Sequence, residues 1–426
     1  MPKNIPVIDL PRIVIIGGGF AGLKLARNID TRYMQVVLLD ENNYHTFQPL
    51  MYQVATAGLE PDSIAYPLRK TLKKKKRTHI RMTKVINIDT ENQLVATTIG
   101  DLKYDYLVVA SGAKTNYFGN KNIEQYAMPM KSLTESLDLR SLILQNFEKA
   151  LTEDKEELKD SHMNFMIVGG GPTGVELAGA LAELKKNVLP NDYPDLDIRR
   201  MQIHIIEAGP HLLGPMSAKA SENALTYLRK LDINVWTDTL VKDYDGVTVI
   251  TSKENFKSKT LIWAAGVTGN IPKGIAENSI DKGRIIVDKT CAITGYKNVF
   301  AIGDVALFKS KEFPAGLPML GSVAQQQGEY LAKLIKTKIF KKSSFEFRYK
   351  DKGTMATIGR NMAVVDLTKN IHFKGTFAWL VWLFVHLMLL VDYRSRIVVF
   401  VNWVWSYINF DRGTRLIVRK FERRKK

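Results

Sequence analysis

Two glycine-rich segments of the same kind occur in this chain, each followed at a distance by an acidic residue. The first runs from Gly17 to Gly22 with Asp40 beyond it, and the second from Gly169 to Gly174 with Glu207 beyond it. The first glycine of such a segment permits a tight turn, the third lets backbone approach a pyrophosphate, and the last lets a helix pack closely on a strand. The distal carboxylate accepts hydrogen bonds from an adenosine ribose, and Glu207 favours a free 2′-hydroxyl over a 2′-phosphate. The pattern therefore predicts two dinucleotide sites, the second selective for NAD over NADP.

Each segment lies between elements that can position it. Apolar strands precede both segments and lead to the two acids, and a helical stretch follows each glycine run, so that phosphates would sit at a helix N-terminus. The first unit consists of strand Arg12–Ile16, helix Leu23–Ile29 and strand Gln35–Leu39, and the second of strand Asn164–Val168, helix Val175–Leu184 and strand Gln202–Ile206. The sequence therefore predicts two Rossmann-type units.

The bulk composition limits the class of protein. A chain of 426 residues with 45% hydrophobic and 24% charged residues predicts two or three folded domains and argues against disorder and against a multi-spanning membrane protein. The net charge of +18 permits nucleic acid or an anionic membrane surface as a partner. Because Cys291 is the single cysteine, the chain cannot form an internal disulfide, a Cys-x-x-Cys pair or a thiolate metal site. We expect Cys291 to be buried and inert, and the N-terminus shows no secretion or import signal, which favours a cytoplasmic location.

Three more apolar runs end in small residues: Tyr106–Gly112, Leu261–Gly266 and Asn298–Asp304, the last ending in Gly-Asp. With these runs the chain resembles the flavoproteins that contain two dinucleotide-binding domains, in which the first loop holds FAD, the second holds NAD(P)H and the Gly-Asp binds the flavin ribityl and phosphate. The alternative for Asp304 is a turn-capping aspartate. The resemblance implies FAD contacts at Gly17, Gly19, Phe20, Ala21, Gly22, Asp40, Gln48, Ala110, Gly112, Gly303, Asp304 and Gln325. It implies NADH contacts at Gly169, Gly171, Pro172, Thr173, Gly174, Glu176, Glu207, Ala265 and Gly266.

The electron acceptor separates the members of that superfamily. The missing cysteines disfavour disulfide reductases, NADH peroxidases, water-forming oxidases and sulfide:quinone reductases. Two segments, Asn42–Ala55 and Gly321–Gly328, resemble type II NADH:quinone oxidoreductases, and the likeness extends from Arg12 to about Arg360. It implies hydride transfer from NADH to FAD and two-electron reduction of a membrane quinone without proton pumping, with Ala324 and Gln325 beside the quinone ring. The alternative for the Gln325–Gln327 cluster is a polar helix face that binds nothing.

The resemblance also gives Glu176 a catalytic role, because a glutamate at this place in the family lies near the flavin and nicotinamide and handles protons. The alternative is structural, since a carboxylate near a helix start is stabilised by the positive end of the helix dipole. His45, His204 and His386 lack metal-ligand spacing, so we interpret them as structural and predict no metal site.

The C-terminal sequence differs in kind from the rest. Strands are expected within Phe345–Asp366. The apolar run Phe377–Val391 has 15 residues, fewer than the roughly 20 that span a bilayer. Ile397–Phe410 is amphipathic, with Asn402, Ser406 and Asn409 on one face and an apolar face formed by Phe400, Trp403, Val404, Tyr407 and Ile408. The tail Asp411–Lys426 carries eight basic residues against two acidic ones.

These features predict a peripheral protein on the cytoplasmic side of the cell membrane, bound to anionic lipid through its C-terminal helices and basic tail. A dimer interface covered by a solvated tail is the alternative, and a homodimer is expected in either case. The run Lys73–Arg77 is interpreted as a solvated surface, since nucleic acid binding would need interleaved aromatic residues.

The predicted fold is α/β, with two Rossmann-type dinucleotide-binding domains for FAD and NAD and a C-terminal membrane-surface helical region. The domain bounds are 1–120 and 269–340 for the two parts of the FAD domain, 121–268 for the NADH domain and 341–426 for the C-terminal domain. Two other functions stay open from the sequence: an FAD-dependent NADH reductase with a soluble acceptor, and a signalling flavoprotein like apoptosis-inducing factor.

Overall fold

A computed structural model describes residues 4–340, 343, 345–368, 371–410 and 413–423. The strands are, in chain order, β1 (Arg12–Ile16), β2 (Gln35–Asp40), β3 (Tyr44–Thr46), β4 (Ala65–Pro67), β5 (Thr78–Met82), β6 (Val85–Asp89), β7 (Leu94–Thr97), β8 (Leu102–Lys103), β9 (Tyr106–Val109), β10 (Ala113–Thr115), β11 (Met128–Pro129), β12 (Asn164–Val168), β13 (Gln202–Ile206), β14 (Asn234–Trp236), β15 (Val241–Tyr244), β16 (Thr248–Thr251), β17 (Asn255–Lys257), β18 (Thr260–Trp263), β19 (Val267–Gly269), β20 (Ile280–Asp281), β21 (Arg284–Val287), β22 (Val299–Ala301), β23 (Ala306–Phe308), β24 (Thr354–Gly359), β25 (Met362–Thr368) and β26 (Ile371–Lys374).

The helices are α1 (Phe20–Asn28), α2 (Met51–Ala55), α3 (Pro61–Ile64), α4 (Leu68–Thr71), α5 (Lys121–Tyr126), α6 (Leu133–Leu151), α7 (Glu156–Met163), α8 (Pro172–Asn187), α9 (Leu189–Asp192), α10 (Ala218–Lys230), α11 (Gly321–Ile339), α12 (Gly375–Leu389) and α13 (Tyr393–Asn409). Short 3-10 turns cover Gln48–Leu50, Ile198–Arg200, Glu277–Ser279 and Gly303–Val305. The chain divides into two compact units.

The first unit contains Met1–Thr46, Tyr66–Lys114 and Val267–Lys350. Its main sheet has the strand order β22-β9-β1-β2-β5, and all of its strands are parallel. β1 and β2 are apolar along most of their length and buried on both faces, as strands of a parallel sheet covered by helices are. α1 and α11 pack against each other in this unit.

The second unit contains Phe47–Ala65, Thr115–Gly266 and Asp351–Lys426. Its parallel sheet has the order β11-β18-β12-β13-β14 and repeats the architecture of the first unit. The antiparallel sheet β24-β25-β26 packs on α8 through β24 and on α12 through β25. α13 contacts both α12 and α3.

The strands predicted for the two Rossmann units agree closely with β1, β2, β12 and β13. The helices are longer than predicted, because α1 begins at Phe20 and α8 extends from Pro172 to Asn187. The prediction of strands over Phe345–Asp366 is wrong for 345–353. There Phe345 and Phe347 pack their rings on Tyr330, and Gly353 turns the chain with a φ of +80° just before β24.

Both C-terminal runs are helical, as predicted: Phe377–Val391 corresponds to α12 and Ile397–Phe410 to α13. Within the described ranges, every helix is too short or too polar to cross a bilayer.

Candidate functional site

The first glycine loop, Gly17–Gly22, forms a cradle of backbone in which a side chain at Gly17 or Gly22 would collide with neighbouring carbonyl groups. Gly17 has a φ of +105°, and a Cβ on it would lie 2.3 Å from the carbonyl oxygen of Ala110. A Cβ on Gly22 would lie 1.9 Å from the carbonyl oxygen of Gly17, which explains the close packing of α1 against the loop. At Gly19, the N-cap of α1, no atom lies within 4 Å of a Cβ position. The loop therefore leaves open space at a helix N-terminus, which fits a pyrophosphate.

Asp40, at the end of β2, is bound to that loop. Its Oδ2 accepts a hydrogen bond from the backbone N–H of Gly18 at 2.6 Å, and its Oδ1 accepts one from Asn42 at 2.7 Å. Burial raises the pKa of Asp40, while these backbone bonds oppose the rise. A carboxylate has about four lone-pair sites, so acceptor capacity remains for ribose hydroxyls.

His45 supports the same loop. Its Nδ1 lies 3.0 Å from the carbonyl oxygen of Gly18, and the ring packs edge-on against Phe20 at 5.1 Å. Burial lowers the pKa of His45 to about 4, so the imidazole is neutral near pH 7. These contacts agree with the structural role predicted for His45.

The Gly-Asp turn and α11 meet the loop from the other side. Gly303 has a φ of +77°, and a Cβ there would lie 3.1 Å from the Cβ of Ala21 and 3.6 Å from that of Ala324. The backbone N–H of Gly303 donates to Oε1 of the buried Gln327 at 2.7 Å. The first unit thus brings together three predicted segments: the loop, the Gly-Asp turn and the glutamine helix.

Two residues for which the sequence predicts no individual role hold this turn in place. One is Gln327, a member of the glutamine cluster whose burial could not be inferred. The other is Arg284, a buried side chain that donates to the carbonyl oxygens of Asp304, Leu317 and Ala306. Burial lowers the pKa of Arg284. Its position on β21 carries no local sequence signal, because its acceptors are backbone groups far along the chain.

The other predicted FAD contacts are spread over both units. Ala110 lies beneath Gly17, and Gly112 has a φ of +72°. Gln325 on α11 is half-buried and Ala324 is buried. Gln48 belongs to the second unit, where it is exposed and Nζ of Lys131 lies 3.4 Å from its Oε1.

The second glycine loop repeats the geometry of the first. Gly169 has a φ of +109°, and its Cβ position lies 2.6 Å from the carbonyl oxygen of Ala264, while that of Gly174 lies 2.0 Å from the carbonyl oxygen of Gly169. The Cβ position of Gly171 is open, and α8 begins at the next residue, Pro172. This loop therefore also fits a pyrophosphate.

Glu207 takes the place of Asp40 in the second unit. Its Oε2 accepts from the backbone N–H of Gly170 at 2.6 Å and its Oε1 from Gly209 at 2.7 Å. Pro172 and Thr173 are exposed on the first turn of α8, and Ala265 and Gly266 follow β18. The predicted NADH residues at the loop, Glu207 and the end of β18 thus all belong to the second unit.

Glu176 lies in the first turns of α8 and is buried. Burial raises its pKa to about 8, although the backbone N–H of Thr357 and the side chain of Trp382 pull the pKa down. The carboxyl group is therefore mostly protonated at neutral pH, and it can release and regain a proton at pH values near neutrality. A carboxyl with a pKa near the operating pH suits general acid and base catalysis.

Glu176 opens onto a pocket of about 690 Å³, part of it open solvent, within the second unit. α2, α8, β24, α12 and α13 contribute to its wall. Its aromatic lining consists of Tyr52, Trp379, Trp382, Trp403 and Tyr407.

α13 binds the rest of the second unit through polar side-chain and backbone atoms. Nδ2 of Asn402 donates to Oε2 of Glu60 at 2.7 Å, and Nε1 of Trp403 donates to Oε1 of Gln53 at 2.8 Å. Arg360 donates to the carbonyl oxygens of Ser406 and Tyr407 at the end of the helix. The assignment of Trp403 to the apolar face of this helix is therefore wrong, because its indole N–H donates to an acceptor on α2.

The outward faces of α12 and α13 are apolar. Large apolar side chains exposed on these helices include Phe377, Leu380, Phe384, Met388 and Leu389 on α12, and Ile397, Phe400, Val401, Val404, Trp405 and Ile408 on α13. We call this set the outer apolar face. Its exposure is 64% at Phe384 and 67% at Ile408, so large side chains face away from the core.

Residues 413–423, the described part of the basic tail, bind to other residues of the second unit. Arg415 forms an ion pair with Asp192 at 2.6 Å, and Arg419 pairs with Asp138. Arg423 donates to the carbonyl oxygen of Lys259 at 2.8 Å. These three guanidinium groups therefore have partners on the protein, and lipid binding by the tail stays a prediction. Asp411, Arg412 and Arg424–Lys426 lie outside the described residues.

The remaining sequence features are structural. In the run Lys73–Arg77, Lys75 donates to the carbonyl oxygen of Ile29 and Arg77 to that of Thr31, just past the end of α1. Cys291 is fully buried, as predicted, and burial raises the pKa of its thiol.

Comparisons with known proteins agree with this geometry. The model of the pyridine nucleotide-disulphide oxidoreductase family matches residues 11–328, and the NDH2 C-terminal domain matches residues 352–412. The chain is 34% identical to the type II NADH:quinone oxidoreductase Ndh of Mycobacterium tuberculosis, over 97% of this chain and 92% of that protein. It is 30% identical to the type II NADH:quinone oxidoreductase of Staphylococcus aureus, over 84% of this chain and 89% of that one.

Solved structures share the fold. The NDH2 of Plasmodium falciparum, solved in complex with NADH, matches with a TM-score of 0.87 at 23% identity, over 96% of this chain and all of that one. The sulfide:quinone oxidoreductase of Aquifex aeolicus matches with a TM-score of 0.71 at 18% identity, over 91% of both chains.

Proposed function

Because this chain belongs to the family of type II NADH:quinone oxidoreductases, we propose that its first glycine loop holds FAD and its second holds NADH. The enzyme transfers electrons from NADH to a quinone and uses FAD and NADH, and the predicted fold, activity, cofactors and quinone substrate are confirmed by this membership. Members of the family are membrane-associated. The observation that carries the proposal is the pair of matching cradles, each with open space at a helix N-terminus and a carboxylate on the loop backbone.

In the first unit, the N-terminus of α1 binds the pyrophosphate, and Asp40 binds a ribose through its free lone pairs. Gly303 and Asp304 bind the ribityl and phosphate, with Gln327 and Arg284 fixing the turn. Bound FAD supplies the hydride acceptor and the electron carrier of the reaction. The FAD domain comprises 1–120 and 269–340, the NADH domain 121–268 and the C-terminal domain 341–426.

In the second unit, the N-terminus of α8 binds the NADH pyrophosphate, and Glu207 binds the adenosine ribose. The two backbone bonds to Glu207 hold its carboxylate in place, so a 2′-phosphate would meet a like charge. Ala265 and Gly266 complete this set.

Glu176 handles a proton of the reaction. Reduction of a quinone to a quinol consumes two electrons and two protons, and a buried carboxyl with a pKa of about 8 can release and regain a proton near neutral pH. Ala324 and Gln325 on α11 are the quinone contacts of the first unit.

The outer apolar face lies on the lipid of the cell membrane, at its cytoplasmic side. Contiguous exposed apolar surface of this extent is unusual in a soluble monomer and marks a lipid or protein contact. The contacts of α13 support a lipid contact, because Asn402 and Trp403 use their polar atoms on the protein. We further propose a homodimer.

The test is to mix purified protein with NADH and a short-chain quinone and to follow both flavin reduction and quinone turnover. We expect both to be fast. Rapid flavin reduction without quinone turnover would contradict the proposal and favour another acceptor. Glu176→Gln should lower quinone turnover more than it weakens NADH binding, and an equal loss of both would remove Glu176 from proton handling.

A further inference from the structure

Trp382 lies on the inward face of α12, together with Ala378 and His386, and is 1% exposed. Its indole stacks on the imidazole of His386 with ring centroids 3.9 Å apart and planes inclined by 21°. Nδ1 of His386 bonds to the carbonyl oxygen of Trp382 at 2.8 Å, which orients the imidazole one turn further along the helix. The indole is therefore held in one orientation by its own helix.

The indole nitrogen of Trp382 is a buried donor whose hydrogen bonding is incomplete. Across the described part of the chain, the buried Nε1 of Trp382 has no hydrogen bond of normal geometry. It does interact with the carboxyl of Glu176, and the two residues line the same pocket. An indole N–H can only donate, and a buried donor without an acceptor costs stability. An ionised Glu176 is an acceptor that would satisfy it.

We propose that Trp382 is a positioning residue for Glu176, donating its Nε1 proton to the carboxylate whenever Glu176 has released its own proton. The inference rests on the proton-handling role proposed for Glu176. The donation holds the ionised carboxyl group in one place and stabilises it against burial. Thr357 provides the second donor from β24, so the carboxylate is held between a strand and a helix.

The neighbouring charges are few. Within the same pocket, α8 contributes Glu183 and the turn after β24 contributes Arg360, whose backbone N–H donates to Oε1 of Glu183 at 2.7 Å. Tyr52 of α2 and Tyr407 of α13 are the titratable hydroxyls of the lining, and His386 of α12 lies behind Trp382. Burial lowers the pKa of His386 to about 4, so it is neutral where Glu176 titrates. The pKa of Glu176 is raised by burial and lowered by its two hydrogen-bond donors, Thr357 and Trp382, rather than shifted by charge on these groups.

The experiment is an infrared pH titration of the FAD-loaded enzyme that follows the C=O stretch of the protonated carboxyl. Glu176→Gln identifies the band by removing it. In Trp382→Phe, which keeps a ring but lacks the N–H, we expect the midpoint of this band to rise by about one pH unit. The matched control is Trp379→Phe on the same helix and in the same pocket, which should leave the midpoint in place.

A second variant tests the same N–H group in case Trp382→Phe fails to fold. Benzothienylalanine introduced at position 382 has the shape of tryptophan with sulfur in place of the N–H, so packing is preserved and the donor is lost. We expect the same rise in the midpoint. An unchanged midpoint in this variant, or no titrating band from Glu176, would overturn the inference. The role of Glu176 is judged separately, by the turnover of Glu176→Gln.

Discussion

Gly179 of α8 lies against Ile358 of β24, so closely that a Cβ at position 179 would be 1.6 Å from the carbonyl oxygen of Ile358. No side chain fits in this space. The contact lies one helical turn beyond Glu176 and brings the backbone of β24 to that carboxyl, where Thr357 donates its N–H. The glycine therefore allows the strand to approach the helix at the site of the proposed acid.

We predict that Gly179→Ala destabilises the protein. In a free helix this change would stabilise by up to about 1 kcal/mol, but the forced separation of α8 and β24 should cost about 1–3 kcal/mol. Denaturant unfolding measures the difference. Gly214→Ala is the control, since Gly214 is exposed and has open space at its Cβ position. A gain of stability in Gly179→Ala would contradict the close approach.

The local parts of this fold are predictable from sequence. β1, β12 and β13 begin and end where the apolar runs do, because a strand buried on both faces is a continuous apolar segment. The glycine loops follow from sterics, since Gly17 and Gly169 adopt positive φ angles against a neighbouring carbonyl group.

The remaining features depend on contacts between distant segments. Gly179 and Ile358 are far apart in the chain, and nothing near either predicts the other. Trp403 has an apolar ring and a polar N–H, so helical periodicity cannot assign its face; the acceptor on Gln53 does. Arg415 belongs to a segment that is basic in composition, but composition does not indicate its ion-pair partner, Asp192, which is distant in the chain.

Glu207 should determine which nicotinamide cofactor the enzyme uses. We predict that Glu207→Gln lowers the ratio of kcat/KM for NADH to that for NADPH by about tenfold, because the charge that opposes a 2′-phosphate is removed. Steady-state kinetics with both nucleotides measure this ratio. Asp40→Asn, the matching change in the first loop, should leave the ratio as it is. An unchanged ratio in Glu207→Gln would place the adenosine ribose elsewhere.

The buried carboxyl of Glu176 should make stability depend on pH. Its pKa is about 8 in the folded protein against an ordinary value of 4.5, so unfolding releases a proton between these pH values. Stability due to this group is therefore lost as the pH rises from about 5 to 8, with a slope of at most about 1.4 kcal/mol per pH unit. Glu176→Gln lacks the titration, so its melting temperature should fall less over this range. Parallel curves for the two proteins would contradict the raised pKa.

The outer apolar face and the tail should contribute differently to membrane binding. We predict that Phe384→Glu combined with Ile408→Glu lowers binding to anionic vesicles by about tenfold or more, because both side chains point away from the protein and would carry charge into the lipid. Arg415→Ala combined with Arg419→Ala should leave vesicle binding nearly unchanged, since both arginines pair with acids of the second unit. Vesicle sedimentation measures binding, and NADH oxidation with a water-soluble acceptor checks the fold of each variant. If the glutamate pair instead changed the oligomeric state and left vesicle binding intact, a second copy of the chain would cover this face.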